Sequence, residues 1–247
     1  MLADRRFYLA AGVAALAGVV RGFSGFGSAL IHVPLISAIY EPRLATVSYI
    51  FMDLPCTMPF ALRAIPQCHW REVLPAIVAG MIAVPLGTYV QKVTDPIVLR
   101  WAMAVLVLCF LALVISGWRY RGKPGALPAS VAGFFSGFAG GAAQMSGPPL
   151  ILYWLGTPGR VAVVRANLLV FFLVLGITLV VSYVGQGLVT PQAVAIAMLL
   201  WPLYLISLYL GARWFRGATD AGYRRVAYAI VALAALVSLP LFDRFLR

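Results

Sequence analysis

Hydrophobic residues run through this chain in long blocks that are separated by short polar connections. The blocks lie at roughly 7–39, 44–62, 73–91, 96–117, 126–157, 164–185, 190–212 and 221–242. Most match the run of about 20 apolar residues that an α-helix needs to cross the apolar core of a bilayer. The pattern therefore predicts an all-α polytopic membrane protein with about eight hydrophobic segments. Strands of a membrane barrel would instead alternate over about ten residues.

Composition agrees with a membrane protein. Hydrophobic residues make up 63% of the chain and charged residues 11%, against about 25% charged residues in soluble domains. The net charge of +12 comes mostly from Arg and Lys in short connections, where such residues set membrane topology. We therefore expect a lipid bilayer and no nucleic acid as partner. Part of the positive potential could also draw an anionic substrate to a pore mouth.

The cysteines and histidines give no sign of a cofactor. Cys56, Cys68 and Cys109 are scattered and form no CxxC pair or Cys/His cluster. Neither a metal site nor a disulfide framework is therefore predicted. We expect no cofactor and leave association into homo-oligomers open.

Two glycine-rich stretches interrupt long apolar segments. They cover residues 21–36 and 133–151, both contain Ser-Gly-Phe, and both close with Pro-Leu-Ile. Glycine permits positive φ and close helix approach, while proline releases backbone groups and ends helices. Repeated helix breaks inside apolar segments are typical of the binding site of a secondary transporter.

The rest of the chain also repeats. Thr94-Asp95 is followed by an arginine five residues after Asp95, and Thr219-Asp220 has the same pattern 125 residues later. The two Ser-Gly-Phe motifs are 112 residues apart. These offsets predict two homologous halves of four segments each, residues 1–122 and 123–247, as duplicated transporters have.

The first segment of each half is too long for one simple crossing. Thirty-odd helical residues would extend roughly 48 Å, although the bilayer core is about 30 Å thick. Segments 7–39 and 126–157 are therefore predicted to be broken, tilted helices or re-entrant hairpins. If each crosses once, the flanking Lys and Arg divide nine against nine; if each returns, they divide seven against eleven. The positive-inside rule thus favours hairpins and inverted repeats, with both termini extracytoplasmic.

Ionisable groups at membrane depth suggest function. Arg21 could face an anion as a bidentate donor, or extend to a lipid headgroup. His32 lies 112 residues before Gln144, and both side chains could donate to a central anion. His32 could carry a proton or be an ordinary packed histidine. Asp53 could couple transport to protons or pair with an arginine.

The predicted site combines these groups with the two stretches. We expect the stretches to face one another around a single anion site, with helix N-termini supplying N–H donors. Pro34, Pro148 and Pro149 are predicted to end the preceding helices. Close helix packing alone is the alternative. The predicted substrate-binding residues are Arg21, Ser24, Gly25, Gly27, Ser28, His32, Pro34, Ser136, Gly137, Gly140, Gly141, Gln144, Ser146, Gly147 and Pro148.

At these residues the chain resembles the sulfite exporter TauE/SafE family, also called the 4-toluene sulfonate uptake permease family. The resemblance covers eight hydrophobic segments, two related halves, and Ser-Gly-Phe with further glycines leading to Pro-Leu at the start of each half. It implies a secondary transporter of small sulfur-containing anions such as sulfite or organosulfonates. The first stretch departs from the richer glycine runs of that family, and the second, from Gly137 to Ala143, is closer.

The leading hypothesis is a secondary active transporter of such an anion in the bacterial inner membrane, coupled to protons through His32 or Asp53. A transporter or passive channel for another small organic anion is the alternative. An intramembrane enzyme is disfavoured because both histidines precede Ser146-Gly147 and Asp53 is the only carboxylate deep in an apolar run.

Overall fold

A computed structural model describes residues 5–24, 27–117, 120, 122–123, 125–154 and 161–214. All regular structure within these residues is helical, as the hydrophobic pattern predicts. The helices are α1 (Arg5–Ser24), α2 (Ser28–Ile39), α3 (Pro42–Ala64), a 3-10 turn (Ile65–Gln67), α4 (Trp70–Val93), α5 (Pro96–Ile115), α6 (Ala126–Ala143), α7 (Gly147–Trp154), α8 (Val161–Gly185) and α9 (Pro191–Trp214).

Among the described residues, six helices are long and apolar enough to cross a membrane. They are α3 with its 3-10 turn, α4, α5, α6, α8 and α9. The expected number of eight segments is thus not confirmed among these residues. Three arginines in its 20 residues lower the hydropathy of α1, and the predicted segment 221–242 lies outside the described residues. The two long segments are each broken into a longer and a shorter helix.

Local sequence explains several helix starts. Asp95 precedes α5, and its Oδ1 accepts hydrogen bonds from the backbone N–H groups of Ile97, at 2.8 Å, and Val98, at 3.4 Å. Thr190 precedes α9, and its Oγ1 accepts one from the Ala193 N–H at 3.2 Å. In both cases a proline follows the capping residue as the first residue of the helix, where its missing N–H has no intrahelical partner to lose. The Thr94-Asp95 motif therefore begins a helix.

The chain forms two compact units that do not follow the order of the sequence. One contains Met1–Met52, Thr94–Ala112 and Val189–Arg247, and the other contains Asp53–Val93 and Leu113–Leu188. The first unit therefore holds α1, α2, α9 and most of α5, while the second holds α4, α6, α7 and α8. The boundary falls inside α3, between Met52 and Asp53. The predicted halves at residues 1–122 and 123–247 stay a prediction.

In the second unit, α6 packs on α4 through a seam of backbone contacts. A Cβ atom at Gly137 would overlap the backbone of Gly80. One at Gly141 would lie 2.5 Å from the Val84 carbonyl oxygen and 2.8 Å from the Thr88 nitrogen. Glycines four residues apart on one face let helix backbones approach this closely. The glycine pattern of the second stretch therefore specifies this seam.

Helices α4, α6 and α8 run parallel. The contacts of α6 with α4 advance along both helices together, from Gly80 to Thr88 on α4. On α8, Asn167 near its start bonds to the N–H of His69 just before α4, and Ser182 near its end bonds to Thr88. The N-terminal ends of all three helices thus lie at one end of this unit.

The same seam recurs in the first unit between α1 and α9. A Cβ atom at Gly18 would lie 2.6 Å from the Tyr204 carbonyl oxygen. One at Gly22 would overlap the Leu208 carbonyl group and lie 2.9 Å from the Ala212 nitrogen. Gly18 and Gly22 in α1 correspond to glycines of α6 that lie 119 residues later in the sequence. The residues that they contact in α9 correspond to residues of α4 that lie 124 residues earlier. Helices α1 and α9 therefore also run parallel.

Several prolines lie where the sequence analysis did not place them. Pro34 does not end a helix but lies inside α2, where it removes the N–H that would bond to the Leu30 carbonyl. Pro148 and Pro149 lie in the first turn of α7, after α6 has ended at Ala143. The first turn tolerates proline because its N–H groups lack intrahelical acceptors. These two prolines therefore begin a helix.

Candidate functional site

The first glycine stretch contains a helix break that leaves the start of α2 without a side-chain cap. Helix α1 ends at Ser24 and α2 begins at Ser28. Gly27 has φ 89°, in the left-handed region that favours glycine. Gly25 and the side chain of Ser24 lie outside the described residues. The N–H groups of the first turn of α2 carry partial positive charge, which favours anions.

A polar cluster lies on the first turns of α2. The hydroxyls of Ser28 on α2 and Tyr49 on α3 are 2.7 Å apart. The His32 ring, one turn further along α2 than Ser28, lies 5.6 Å from the Tyr49 ring between centroids. Ser28 and His32 are completely buried and Tyr49 is 5% exposed. Because both α2 residues contact the same tyrosine, they share one face of the helix.

His32 is buried without a hydrogen-bond partner for either ring nitrogen. A neutral imidazole has one N–H donor and one acceptor nitrogen, and a protonated one has two donors. Leaving such a group buried and unsatisfied costs about 1–3 kcal/mol. A ligand with hydrogen-bonding oxygens would remove that cost. The cluster thus offers an uncapped helix N-terminus, two hydroxyls and an imidazole to a small oxyanion.

Arg21 and Asp53, the other two ionisable groups of the predicted site, lie on helices other than α2. Arg21 lies in the last turn of α1, where a positive charge interacts favourably with the negative end of the helix dipole. Asp53 lies inside α3, is 7% exposed, and is followed by Pro55 and Pro59 in the same helix. Each proline removes one intrahelical hydrogen bond. Asp53 therefore lies in a locally weakened stretch of α3.

The second stretch forms a tight hairpin. After α6 ends, Gln144 adopts φ 58° and its N–H bonds to the Gly140 carbonyl at 2.8 Å. At the other end of the hairpin, the N–H of Gly125, just before α6, bonds to the Tyr153 hydroxyl near the end of α7 at 3.4 Å. Helix α7 thus returns along α6 towards its start. The segment predicted to be broken or re-entrant is a hairpin at residues 126–154. In the first unit, α2 likewise packs against α1.

Side chains close this hairpin and connect it to α8. The Ser136 hydroxyl donates to the Ser146 carbonyl oxygen, and a Cβ atom at Gly140 would overlap the Ser146 hydroxyl. The Gln144 Nε2 donates to the Tyr183 hydroxyl at 3.3 Å. Gln144 is 6% exposed and Tyr183 is completely buried. Most polar groups at this helix break therefore form hydrogen bonds with other groups of the protein.

Several predicted site residues lie within regular helices or in their first turn. Ser136, Gly137, Gly140 and Gly141 lie inside the continuous helix α6, so their amides are positioned for helical hydrogen bonds and not for a ligand. For Gly137 and Gly141, the packing alternative describes the structure. Gly147 and Pro148 form the first turn of α7.

The repeated Ser-Gly-Phe motif pairs His32 with Gln144, but the positions of the helix breaks do not. Helix α1 ends 119 residues before α6, and α2 begins 119 residues before α7. Gln144 follows the end of α6, whereas His32 lies within α2. The offset of 112 residues between the Ser-Gly-Phe motifs is thus not the structural register, because Ser24 ends a helix and Ser136 lies inside one.

Sequence reasoning missed the two tyrosines that complete these sites. Tyr49 on α3 meets the start of α2, and Tyr183 on α8 meets the end of α6. Each belongs to the helix that follows the broken pair. A phenol within an apolar run is a detectable signal, because a buried Tyr hydroxyl usually has a hydrogen-bond partner. The contacts themselves become visible only in the folded chain.

The chain is an integral, multi-pass membrane protein whose helices break within apolar segments. No group of three or more His, Cys, Asp or Glu residues that could hold a metal occurs in the described part of the chain. Polar groups at helix breaks, without a metal centre among these residues, are the kind of site found in membrane transporters.

Comparison with known proteins agrees. The family model for the sulfite exporter TauE/SafE matches residues 10–238, and the chain belongs to this family. It is 27% identical over 232 residues to a protein of Cupriavidus necator named probable sulfite/organosulfonate exporter TauE, covering 88% of each chain. No solved structure matches the chain.

Proposed function

We propose that this protein is a secondary active transporter of a small sulfur-containing anion, such as sulfite or an organosulfonate, in the bacterial inner membrane. The observation that carries the proposal is the unpartnered imidazole of His32, buried beside the Ser28 and Tyr49 hydroxyls at the N-terminus of α2. The substrate class follows the family and the printed name of the Cupriavidus relative.

The chemistry of this cluster suits an oxyanion. Sulfite and sulfonate groups present several acceptor oxygens, and the N–H groups of a helix N-terminus point towards such a ligand. A protonated His32 would add positive charge, and hydrogen bonds to charged groups contribute about 1.5–3 kcal/mol. Complete burial of His32 means that the substrate reaches it only when neighbouring helices move, as alternating access requires.

We infer that the two halves are inverted repeats, because the flanking Lys and Arg divide seven against eleven when each long segment returns to its own side. Each unit also contains a parallel seam built on glycines, between α1 and α9 in the first unit and between α6 and α4 in the second.

Positively charged residues near the starts of three helices support one orientation of the protein in the membrane. Arg71, Lys123 and Arg165 lie near the N-terminal ends of the parallel helices α4, α6 and α8. By the positive-inside rule, we infer that this end faces the cytoplasm.

Proton coupling would use the buried ionisable groups. Among the described residues, His32 is a histidine that lies inside an apolar helix. A histidine changes charge near physiological pH. Asp53, in the proline-weakened stretch of α3, is the second carrier that we propose. A substrate anion and a proton bound together at His32 would lower the charge that the moving protein has to carry through the bilayer.

Transport by purified protein in liposomes tests this proposal. We expect uptake of sulfite or an organosulfonate above its equilibrium concentration when a pH gradient is imposed, with weaker transport in His32→Ala and Arg21→Ala. The matched control is His69→Ala, because His69 lies exposed in the connection between α3 and α4. Loss of one hydrogen bond to a charged substrate predicts about a 10- to 100-fold lower affinity in His32→Ala.

Three outcomes would contradict parts of the proposal. Equal affinity in His32→Ala and His69→Ala would remove the α2 site, and unchanged transport in Arg21→Ala would remove Arg21 from it. Flux that never exceeds equilibrium under any ion gradient would indicate a passive channel.

A further inference from the structure

A second polar cluster lies in the other unit, between the C-terminal ends of α4 and α8. The hydroxyl oxygens of Thr88 and Ser182 are 2.6 Å apart. The Gln186 Nε2 lies 3.0 Å from the Pro85 carbonyl oxygen, 2.5 Å from the Thr88 Oγ1 and 3.4 Å from the Ser182 Oγ. Three oxygens from two helices thus surround one point, which the amide nitrogen of Gln186 occupies.

The remaining oxygen of this cluster lacks a donor. The Gln186 Oε1 is buried and accepts no hydrogen bond. An unsatisfied buried acceptor is unfavourable, and a rotation of the Gln186 side chain would bring this oxygen towards the other three. Four neutral oxygens, from Pro85, Thr88, Ser182 and Gln186, would then converge.

The surrounding helix ends favour positive charge at this point. Helix α8 ends at Gly185, next to Gln186, and α6 ends at Ala143. Gly141, near the end of α6, lies against the backbone nitrogen of Thr88. The C-terminal end of a helix carries partial negative charge and stabilises cations. Two such ends therefore lie close to the four oxygens.

The close packing of α6 on α4 does not require the hydroxyl of Thr88. In the first unit, Ala212 on α9 has the backbone contact to Gly22 that Thr88 has to Gly141. That equivalent position thus functions in packing without a side-chain oxygen. The Thr88 hydroxyl, which also donates to the Pro85 carbonyl of its own helix at 3.1 Å, thus belongs to the polar cluster and not to the packing of the helices.

We propose that Pro85, Thr88, Ser182 and Gln186 form a binding site for a small monovalent cation, Na⁺, in which the amide nitrogen of Gln186 holds the place of the ion. Neutral oxygens suit a hard cation, and the absence of a carboxylate among these four groups suits a single charge. The two hydroxyls are hydrogen-bonded at 2.6 Å and would have to separate around an ion, less for the small Na⁺ than for K⁺. The ion would enter from the end of α8, where Gln186 is partly exposed.

Within the proposed transport function, Na⁺ bound here would be a coupling ion separate from a proton at His32. The Na⁺ site also stands without that function, because its test measures binding. Failure of one proposal therefore leaves the other intact.

Thermal unfolding of the purified protein tests the site. In detergent at constant ionic strength, we expect NaCl to raise the unfolding midpoint relative to KCl and choline chloride. The rise should be roughly 5 °C when Na⁺ exceeds its dissociation constant about 100-fold. Thr88→Ala, which copies the first unit, and Ser182→Ala should lose the rise. Thr178→Ala should keep it, because the Thr178 hydroxyl bonds to the Val174 carbonyl of its own helix.

An equal response of the unmodified protein to all three salts would overturn the proposal and leave the cluster as a hydrogen-bonded contact between helices. Saturable binding of radioactive Na⁺ to the unmodified protein, resistant to excess K⁺, provides a measurement that does not depend on the folding of any variant. Its absence would equally overturn the site.

Discussion

The hydroxyl of Ser28 lies 2.7 Å from the hydroxyl of Tyr49, and this pair lies beside a histidine whose ring nitrogens have no partner. We therefore predict that Tyr49→Phe weakens binding of the transported anion about 3- to 10-fold, because one neutral hydrogen bond contributes about 0.5–1.5 kcal/mol. Substrate-induced thermal shift or transport affinity measures the change. Tyr209→Phe is the control, since Tyr209 is 58% exposed; equal affinities in the two variants would exclude Tyr49 from the site.

The glycine seam gives a prediction about stability. Gly137→Ala should destabilise the protein by about 1–3 kcal/mol, the usual cost of overpacking, because the new methyl group would overlap the backbone of Gly80. Thermal unfolding in detergent measures it. Gly12→Ala is the control, because no atom lies within 4 Å of a Cβ there and alanine is the better helix former. A neutral Gly137→Ala would show that α4 and α6 can separate without cost.

The start of α8 is joined to the start of α4 by one amide. The Asn167 Oδ1 accepts the N–H of His69 at 2.8 Å, and its Nδ2 donates to the Glu72 carboxylate at 3.3 Å. Asn167→Ala should lower stability by about 1–3 kcal/mol, because two part-buried hydrogen bonds are lost, each contributing roughly 0.5–1.5 kcal/mol. Asn167→Asp should be worse, since it sets two carboxylates together. If Asn167→Asp unfolds later than Asn167→Ala, this order is contradicted, and the hydrogen bond from the His69 N–H outweighs the repulsion between the two carboxylates.

The Cys68 thiol, which follows the 3-10 turn between two spans, offers a pH-dependent test. Burial, together with the smaller effect of the negative charge of Glu72, raises the pKa of Cys68 to about 11. Since the thiolate is the reactive form, alkylation in a Cys56→Ser, Cys109→Ser background should accelerate roughly tenfold per pH unit up to that pKa.

Glu72→Gln separates the two causes. Removing the carboxylate should lower the pKa of Cys68 and speed alkylation at a fixed pH near 9, as mass spectrometry can follow. A rate that stays the same in Glu72→Gln would mean that burial alone sets the pKa of Cys68.

The sequence by itself determined the helical class, the family and the two interruptions. Hydrophobic runs and their breakers act locally, so Gly27 and Gln144 mark helix ends that the composition of each stretch already indicates. The same local view failed at Pro34, because a proline can remain inside a helix when the surrounding contacts offset its lost hydrogen bond.

Only the tertiary structure decided which groups meet. Gly137 lies against Gly80 and His32 beside Tyr49 because helices distant in sequence pack together. A glycine's sequence context does not show whether its missing side chain serves a turn, a ligand or a neighbouring helix. The register of 119 residues likewise follows from where helices end, and a short repeated motif such as Ser-Gly-Phe carries too little information to fix it.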